Sequence, residues 1–204
     1  VALISDAGTP LVSDSGFRLV QKAQKAKVNI IPVPGACAAI AGLVASGLPT
    51  DEFMFTGFLP NKEQARQKKI KSFSQAKPTL IFYESAFRIK QTLHDMQEVF
   101  GPHRAAALCR ELTKAFETIY TGTLEEIALY IEKTSSLRGE IVLLVSGINE
   151  DEGGYAQEKI DEMLRQAVKM SSPSQAAKEV AAIIGEKREK LFQRLLFLKN
   201  SDAL

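Results

Sequence analysis

Only two cysteines and two histidines occur in the 204 residues: Cys37, Cys109, His94 and His103. The cysteines stand far apart in apolar surroundings and form no Cys-x-x-Cys pair. No secretion signal is read in these residues, so a disulfide framework is not expected and a reducing cytoplasm is the expected home. With so few candidate ligands, a His- or Cys-based metal centre is not expected either. Excess charge is also lacking. The net charge is only +2, which points weakly to nucleic acid and leaves the distribution of charge as the informative quantity. No apolar run approaches the roughly 18–20 residues needed to cross a bilayer, so a membrane span is not expected.

The residues present have a clear rhythm. Val1-Ala2-Leu3-Ile4 reads as a buried strand running into the turn Ser5-Asp6-Ala7-Gly8-Thr9-Pro10. Ser13-Asp14-Ser15-Gly16 offers N-caps for a helix over 17–26, with Phe17, Val20 and Ala23 facing inward. A second strand over 28–33 turns at Pro34-Gly35 into a helix of small residues, 36–46. Strand, turn, helix, repeated, is the pattern of a parallel α/β sheet. Because Val1 opens inside a strand pattern, a preceding N-terminal segment is expected.

After Gly47-Leu48-Pro49 the order becomes mixed. Strands are expected at 53–58, 79–83, 105–109, 118–121 and 140–146, with a charged helix over 62–75. Ser85 is read as the cap of a helix carrying Ile89, Leu93, Met96 and Phe100, and Thr123-Leu124-Glu125-Glu126 as a capping box. Residues 149–154 read as a linker. Three amphipathic helices follow, at 156–169, 173–184 and 187–199, the second capped by Ser171-Ser172-Pro173 and broken from the third at Gly185. The chain thus divides into 1–49, the remaining part of an N-terminal α/β domain; 50–148, a second α+β domain; and 155–204, a helical appendage.

Three features could carry chemistry. The small-residue turn 5–10 and the turn Pro34-Gly35-Ala36-Cys37-Ala38 follow neighbouring strands, where open α/β sheets bind ligands. Each is equally readable as a strand-to-helix connection. Lys62, Arg66, Lys68, Lys69 and Lys71 form a basic segment beside Phe58 and Phe73, either an RNA-phosphate surface or a solvated helix face. Arg110-Glu111-Leu112-Thr113-Lys114, with Glu117, emerges at a strand end. It is readable as a reactive cluster or as a salt-bridge network.

Six blocks occur in order: Ile4–Pro10, Pro32–Ala36, Ser46–Thr50, Gly57–Pro60, Phe82–Ser85 and Arg110–Lys114. Together they resemble the ribosomal RNA small-subunit methyltransferase I family, the (cytidine-2′-O)-methyltransferases of the tetrapyrrole-methylase superfamily. The likeness runs from Val1 to about Lys199. The chain departs from the family pattern at Ser15, usually proline, and at Ala36-Cys37, usually proline-serine. Relatives carry a further N-terminal portion, so the resemblance implies a truncated chain lacking part of the active cleft.

The resemblance implies a two-domain tetrapyrrole-methylase-like α/β fold with a C-terminal helical appendage. It implies S-adenosyl-L-methionine as cofactor, held by Asp6, Ala7, Gly8, Thr9, Cys37, Ala38, Tyr83, Glu84 and Ala107. The expected partner is 16S ribosomal RNA in the small subunit, contacted by the basic segment together with Arg88 and Arg110. A cytoplasmic homodimer is expected, with neither DNA nor membrane as partner and no metal. Glu84, Glu111 or a neutral Lys114 is the candidate base. Cys37 is readable as a cofactor contact or as a small buried residue. The rival readings are a methylase of a tetrapyrrole or other small molecule on the same fold, and a non-catalytic RNA-binding or dimerisation module.

Overall fold

The computed structural model describes residues 1–134, 137–148, 157–184 and 188–201. They form two compact units, within residues 1–147 and 148–204. No helix among the described residues is long and apolar enough to cross a membrane.

The first unit is built on one five-stranded sheet. Its strands are β1 (Phe53–Phe58), β2 (Thr79–Ser85), β3 (Ala105–Arg110), β4 (Thr118–Thr123) and β5 (Glu140–Val145). Their spatial order is β1-β2-β5-β3-β4, with β1 and β2 parallel and every other pair antiparallel. The parallel pair needs a crossover, and α3 (Glu63–Lys71) supplies it. The central strands are apolar runs because both faces are covered. Side chains alternate between the faces. Leu80, Phe82, Ala106, Leu108, Ile141, Leu143 and Val145 share a core with Ile70 of α3, with Leu93 and Met96 of α4 (Ile89–Phe100), and with Ile127 and Ile131 of α5 (Leu124–Lys133). On the other face Ile81, Ala107, Cys109, Val142 and Leu144 pack with Ala39 and Leu43 of α2 (Ala38–Ala45). Gly42 permits that approach, since a Cβ there would stand 3.1 Å from Val142 Cγ1.

The capping box forms as expected: Glu126 N–H donates to Thr123 Oγ1 at 3.2 Å, and Thr123 N–H donates to Glu126 Oε2 at 2.8 Å. Ser85 does not cap α4. It ends β2, and Arg88 occupies the cap position without a side-chain bond.

Residues 1–49 depart from the expected sheet. Neither 1–4 nor 28–33 forms a strand. Apolar β-branched runs become strands only by pairing, and among the described residues neither run joins a ladder. Their side chains stay exposed, Ile4, Ile31 and Val33 among them. The helix α1 (Phe17–Lys25) does form. It closes with Lys27 in the left-handed region, Lys27 N–H on Gln24 O and Val28 N–H on Ala23 O, a Schellman arrangement. Phe17, expected to face inward, is exposed, while Val20 and Ala23 are half-buried.

The second unit packs α6 (Gln157–Met170), α7 (Pro173–Ile184) and α8 (Arg188–Ser201). Leu164, Ala176, Ala177, Val180, Leu191 and Leu195 form its core. Arg194 clasps Asp161 with two hydrogen bonds, 2.9 and 2.7 Å. Ser172 caps α7 by accepting from Gln175 N–H at 3.4 Å. The expected linker at 149–154 and the break at Gly185 lie outside the described residues.

Candidate active site

β1, β2 and β3 point the same way, so Phe58, Ser85 and Arg110 end at one edge of the sheet, where Glu140 and Thr118 begin. A cavity of about 600 Å³ opens at that edge. One wall is the chain from Ile4 to Thr9 with Val12, Ser13 and Asp14. Cys37 and Ala38 form a second wall at the start of α2. The rest comes from the strand ends: Phe58, Tyr83, Glu84 and Ser85 on one side, and Gly139 to Val142 on the other.

Two turns read as small-residue connections are tied together here. Thr9 Oγ1 donates to Ala36 O at 2.9 Å. Gly8 sits at φ +74, and an added Cβ would meet Ala36 O at an ordinary 3.6 Å. Backbone conformation rather than space therefore calls for glycine. Tyr83 joins the second turn to the sheet: its phenol oxygen accepts from Ala39 N–H at 3.1 Å, and its ring meets Phe58 edge-on at 5.7 Å. Burial raises the Tyr83 pKa, so the phenol stays neutral.

The charge of the lining is one-sided. Asp6, Asp14, Glu84 and Glu140 are among the lining residues, and none of the lining residues is Lys, Arg or His. Hydrogen bonds from the Ser5 hydroxyl and then the Ser15 amide hold the Asp14 carboxyl below its usual range. Glu84 is buried, its carboxylate turned to α4, accepting from Ser85 N–H and Thr92 Oγ1, both at 2.8 Å, and ion-paired to Arg88 Nη2 at 3.5 Å. Such a cavity favours a cationic ligand with hydroxyl groups.

Of the expected cofactor residues, Asp6, Ala7, Gly8, Thr9, Cys37, Ala38, Tyr83 and Glu84 line this one cavity. Ala107 does not. It lies fully buried under α2, three residues short of the strand end. Asp14, Phe58, Ser85, Gly139 and Glu140 were missed as lining residues. Of the four residues that offer a cap for α1, Gly16 takes the position, and Asp14 lines the cavity instead. Glu140 stands opposite Ser85 in the β2–β5 register, a non-local pairing that no local pattern announces.

Of the candidate bases only Glu84 lines the cavity. Glu111 and Lys114 stand behind its Gly139–Glu140 wall. Glu111 accepts from Glu140 N–H at 2.8 Å and from Lys114 Nζ at 2.9 Å. Lys114 also reaches Glu140 Oε2 at 2.9 Å. Those hydrogen bonds to Glu140 and Glu111 raise the Lys114 pKa, which corrects the expectation of a neutral amine. Glu111 and Thr113 both occupy the left-handed region, φ 50 and 64.

Three expected phosphate contacts are engaged internally instead. Arg66 is buried and ion-paired to Asp95, which Gln67 also bonds. Arg88 donates to Leu59 O, Pro60 O and Asn61 Oδ1. Arg110 donates to Arg138 O, Phe116 O and Thr118 Oγ1. Lys62, Lys68, Lys69 and Lys71 remain exposed, with Lys69 Nζ 4.8 Å from the centre of the Phe73 ring. Among the described residues one group offers metal-ligand atoms, His94, Asp95 and Glu98. The Asp95 oxygens are already taken by Arg66 and Gln67.

Residues 1–128 match the family Tetrapyrrole (Corrin/Porphyrin) Methylases, and residues 156–199 match the RsmI C-terminal HTH domain. Among solved structures, a cobalt precorrin-4 methyltransferase is 15% identical with a TM-score of 0.53, over 68% of this chain and 61% of that one. A diphthine synthase is 13% identical with a TM-score of 0.51, over 68% and 57%. Fold and family match together define the class, a methylase of the tetrapyrrole-methylase type. Three relatives named ribosomal RNA small subunit methyltransferase I narrow it. The Haemophilus influenzae protein is 43% identical, over 95% of this chain and 69% of the relative. The Pseudomonas aeruginosa protein is 43% identical, over 96% and 70%. The Vibrio cholerae protein is 46% identical, over 91% and 64%. The chain belongs to the ribosomal RNA small subunit methyltransferase I family within the tetrapyrrole methylases.

Proposed function

We propose that the chain transfers a methyl group from S-adenosyl-L-methionine to the 2′-oxygen of a cytidine in the decoding region of 16S ribosomal RNA. The observation that carries this reading is the sheet-edge cavity, with acidic residues and no cationic residue in its lining. When bound there, S-adenosylmethionine supplies a methyl group on a cationic sulfonium. The residues present fit it. Asp6, Asp14 and Glu140 offer acceptors for its ammonium and ribose hydroxyl groups. The 6–9 turn and Cys37-Ala38 leave backbone open to close approach. Tyr83 and Phe58 provide flat apolar surface for the adenine.

The same charge pattern keeps RNA phosphates outside the cavity. They meet Lys62, Lys68, Lys69 and Lys71 instead, leaving a ribose hydroxyl to enter. The catalytic need is alignment of that hydroxyl behind the methyl group. A carboxylate within about 2.6–3.2 Å must take its proton, directly or through water. Glu84 is the candidate among the lining residues, and taking the proton requires its carboxylate to turn away from Thr92 Oγ1 and Arg88. Glu111 and the charged Lys114 hold Gly139–Glu140 in place. The substrate is the small ribosomal subunit in the cytoplasm, and the working form is a homodimer. Residues 1–49 and 50–148 act as two domains, with 155–204 as the appendage.

Methyl incorporation into 30S subunits, compared with a uroporphyrinogen-type substrate, tests the reading. Label in the subunit alone is expected. Label in the porphyrin alone would assign the cavity to a small-molecule methylase.

A further inference from the structure

Three phenylalanines stand at the sheet edge that holds the cavity, exposed among the described residues. Phe58 ends β1 and lines the cavity, Phe87 follows β2 by two residues, and Phe116 precedes β4 by two. They are 56%, 95% and 74% exposed respectively. The strand order places β5, whose start forms part of the cavity wall, between the strands carrying Phe87 and Phe116. Strands repeat every ~4.8 Å, so the end of β2 and the start of β4, three spacings apart in the sheet, are separated by roughly 14 Å along this edge.

Both rings sit on fastened backbone. The Phe116 carbonyl accepts from Arg110 Nη2 at 3.2 Å, and its loop is closed by Thr113 N–H on Glu117 Oε2 at 2.6 Å. Phe87 adjoins Arg88, whose guanidinium holds Leu59 O, Pro60 O and Asn61 Oδ1. Flat apolar rings on a fastened backbone bind with a lower ordering cost than rings on a loose loop.

We infer that Phe87 and Phe116 are base-stacking platforms for unpaired nucleotides flanking the one whose ribose enters the cavity. This rests on the RNA-methylating reading above. A ribose hydroxyl reaches a recessed cavity only if its nucleotide leaves the stack, which strips both neighbours of a partner. Aromatic side chains replace that partner for any base, whatever its identity. The surroundings suit RNA better than protein: the exposed Lys62 stands four residues after Phe58, with Lys68, Lys69 and Lys71 following on α3, and they complement phosphates rather than an apolar protein face.

The chain contains no tryptophan, so Phe87→Trp and Phe116→Trp each introduce a single reporter that also preserves stacking. The probe is a short unpaired RNA oligonucleotide, titrated at several salt concentrations, with 30S subunits in parallel. Phe87→Ala and Phe116→Ala should each weaken binding about 5- to 100-fold and leave the salt slope unchanged. The tryptophan variants should bind like the parent, with emission quenched by RNA. If the parent binds RNA but both alanine variants bind equally well and the tryptophan emission is unmoved, the stacking role is overturned and the RNA reading stands. If the alanine variants keep RNA affinity but shift self-association in sedimentation, the rings are a contact between copies of this chain and the inference is overturned. A parent that binds neither RNA nor 30S subunits instead refutes the proposed function itself.

Discussion

Replacing Asp95 with alanine strips the buried Arg66 guanidinium of its anion and Gln67 of its acceptor. Both charged side chains are only 4% exposed, so water cannot take over. Removing one partner of a buried pair costs about 3–5 kcal/mol. That is a large share of the roughly 5–15 kcal/mol that holds a domain folded. With a urea slope of about 1–3 kcal/mol/M, the midpoint should fall by one to several molar. Tyrosine emission is a suitable probe, since Tyr83, Tyr120 and Tyr130, three of the four tyrosines, lie in residues 1–147. The double variant Arg66→Met, Asp95→Leu should recover most of the loss, because it removes both charges and fills the space. Its RNA affinity and salt slope should match the parent's. A midpoint for Asp95→Ala within a few tenths molar of the parent's would refute the reasoning. Arg66 would then reach solvent easily enough to serve as a phosphate contact.

Three further outcomes are expected. Burial pushes the Cys109 thiol up to about 11, whereas Cys37 is half-buried at the cavity wall. A thiol reagent at pH 8 should therefore modify Cys37 first, and S-adenosylhomocysteine should slow it; mass spectrometry showing equal labelling, or no protection, counts against the cavity assignment. The pair Lys68→Gln, Lys69→Gln should flatten the salt dependence of RNA binding by about 1.4 log units per log unit of salt, from two lost phosphate contacts; an unchanged slope returns α3 to an ordinary solvated face. For the 111–117 loop, the Glu140 amide bond and then Lys114 lower the Glu111 pKa beneath its ordinary 4.5. Its contribution is present above 4.5 and is lost as pH falls through the lowered folded value. The Lys114 contribution, with a raised pKa, is present below 10.5 and is lost as pH rises through the folded value. The Glu140 amide resonance should move with acid below pH 4.5 and stop doing so in Glu111→Gln; a resonance indifferent to acid in the parent would contradict the bond.

Local chemistry was the legible part of this chain. Thr123 and Glu126 announce α5 because both halves of the capping box lie within four residues. β2, β3 and β5 are legible because burial on both faces leaves an unbroken apolar run. The cavity residues from Asp6 to Glu84 became readable through their motif blocks rather than through periodicity. Pairing was not legible: residues 1–4 and 28–33 have strand composition, but a ladder depends on partners elsewhere. Counting cations misread α3, because Arg66 and Ile70, four apart, share the face turned inward. Arg88 and Arg110 were misassigned for a different reason. Their partners are carbonyls that only folding brings within reach.

The central claim is methyl transfer to a ribose of small-subunit RNA. Its most direct test is nucleoside mass spectrometry of 30S subunits lacking the modification, after incubation with the chain and isotope-labelled S-adenosylmethionine. The account predicts labelled 2′-O-methylcytidine, reduced when Glu84 is replaced by glutamine. Label on a nucleobase, or no label in RNA from a chain that binds the cofactor, would contradict it.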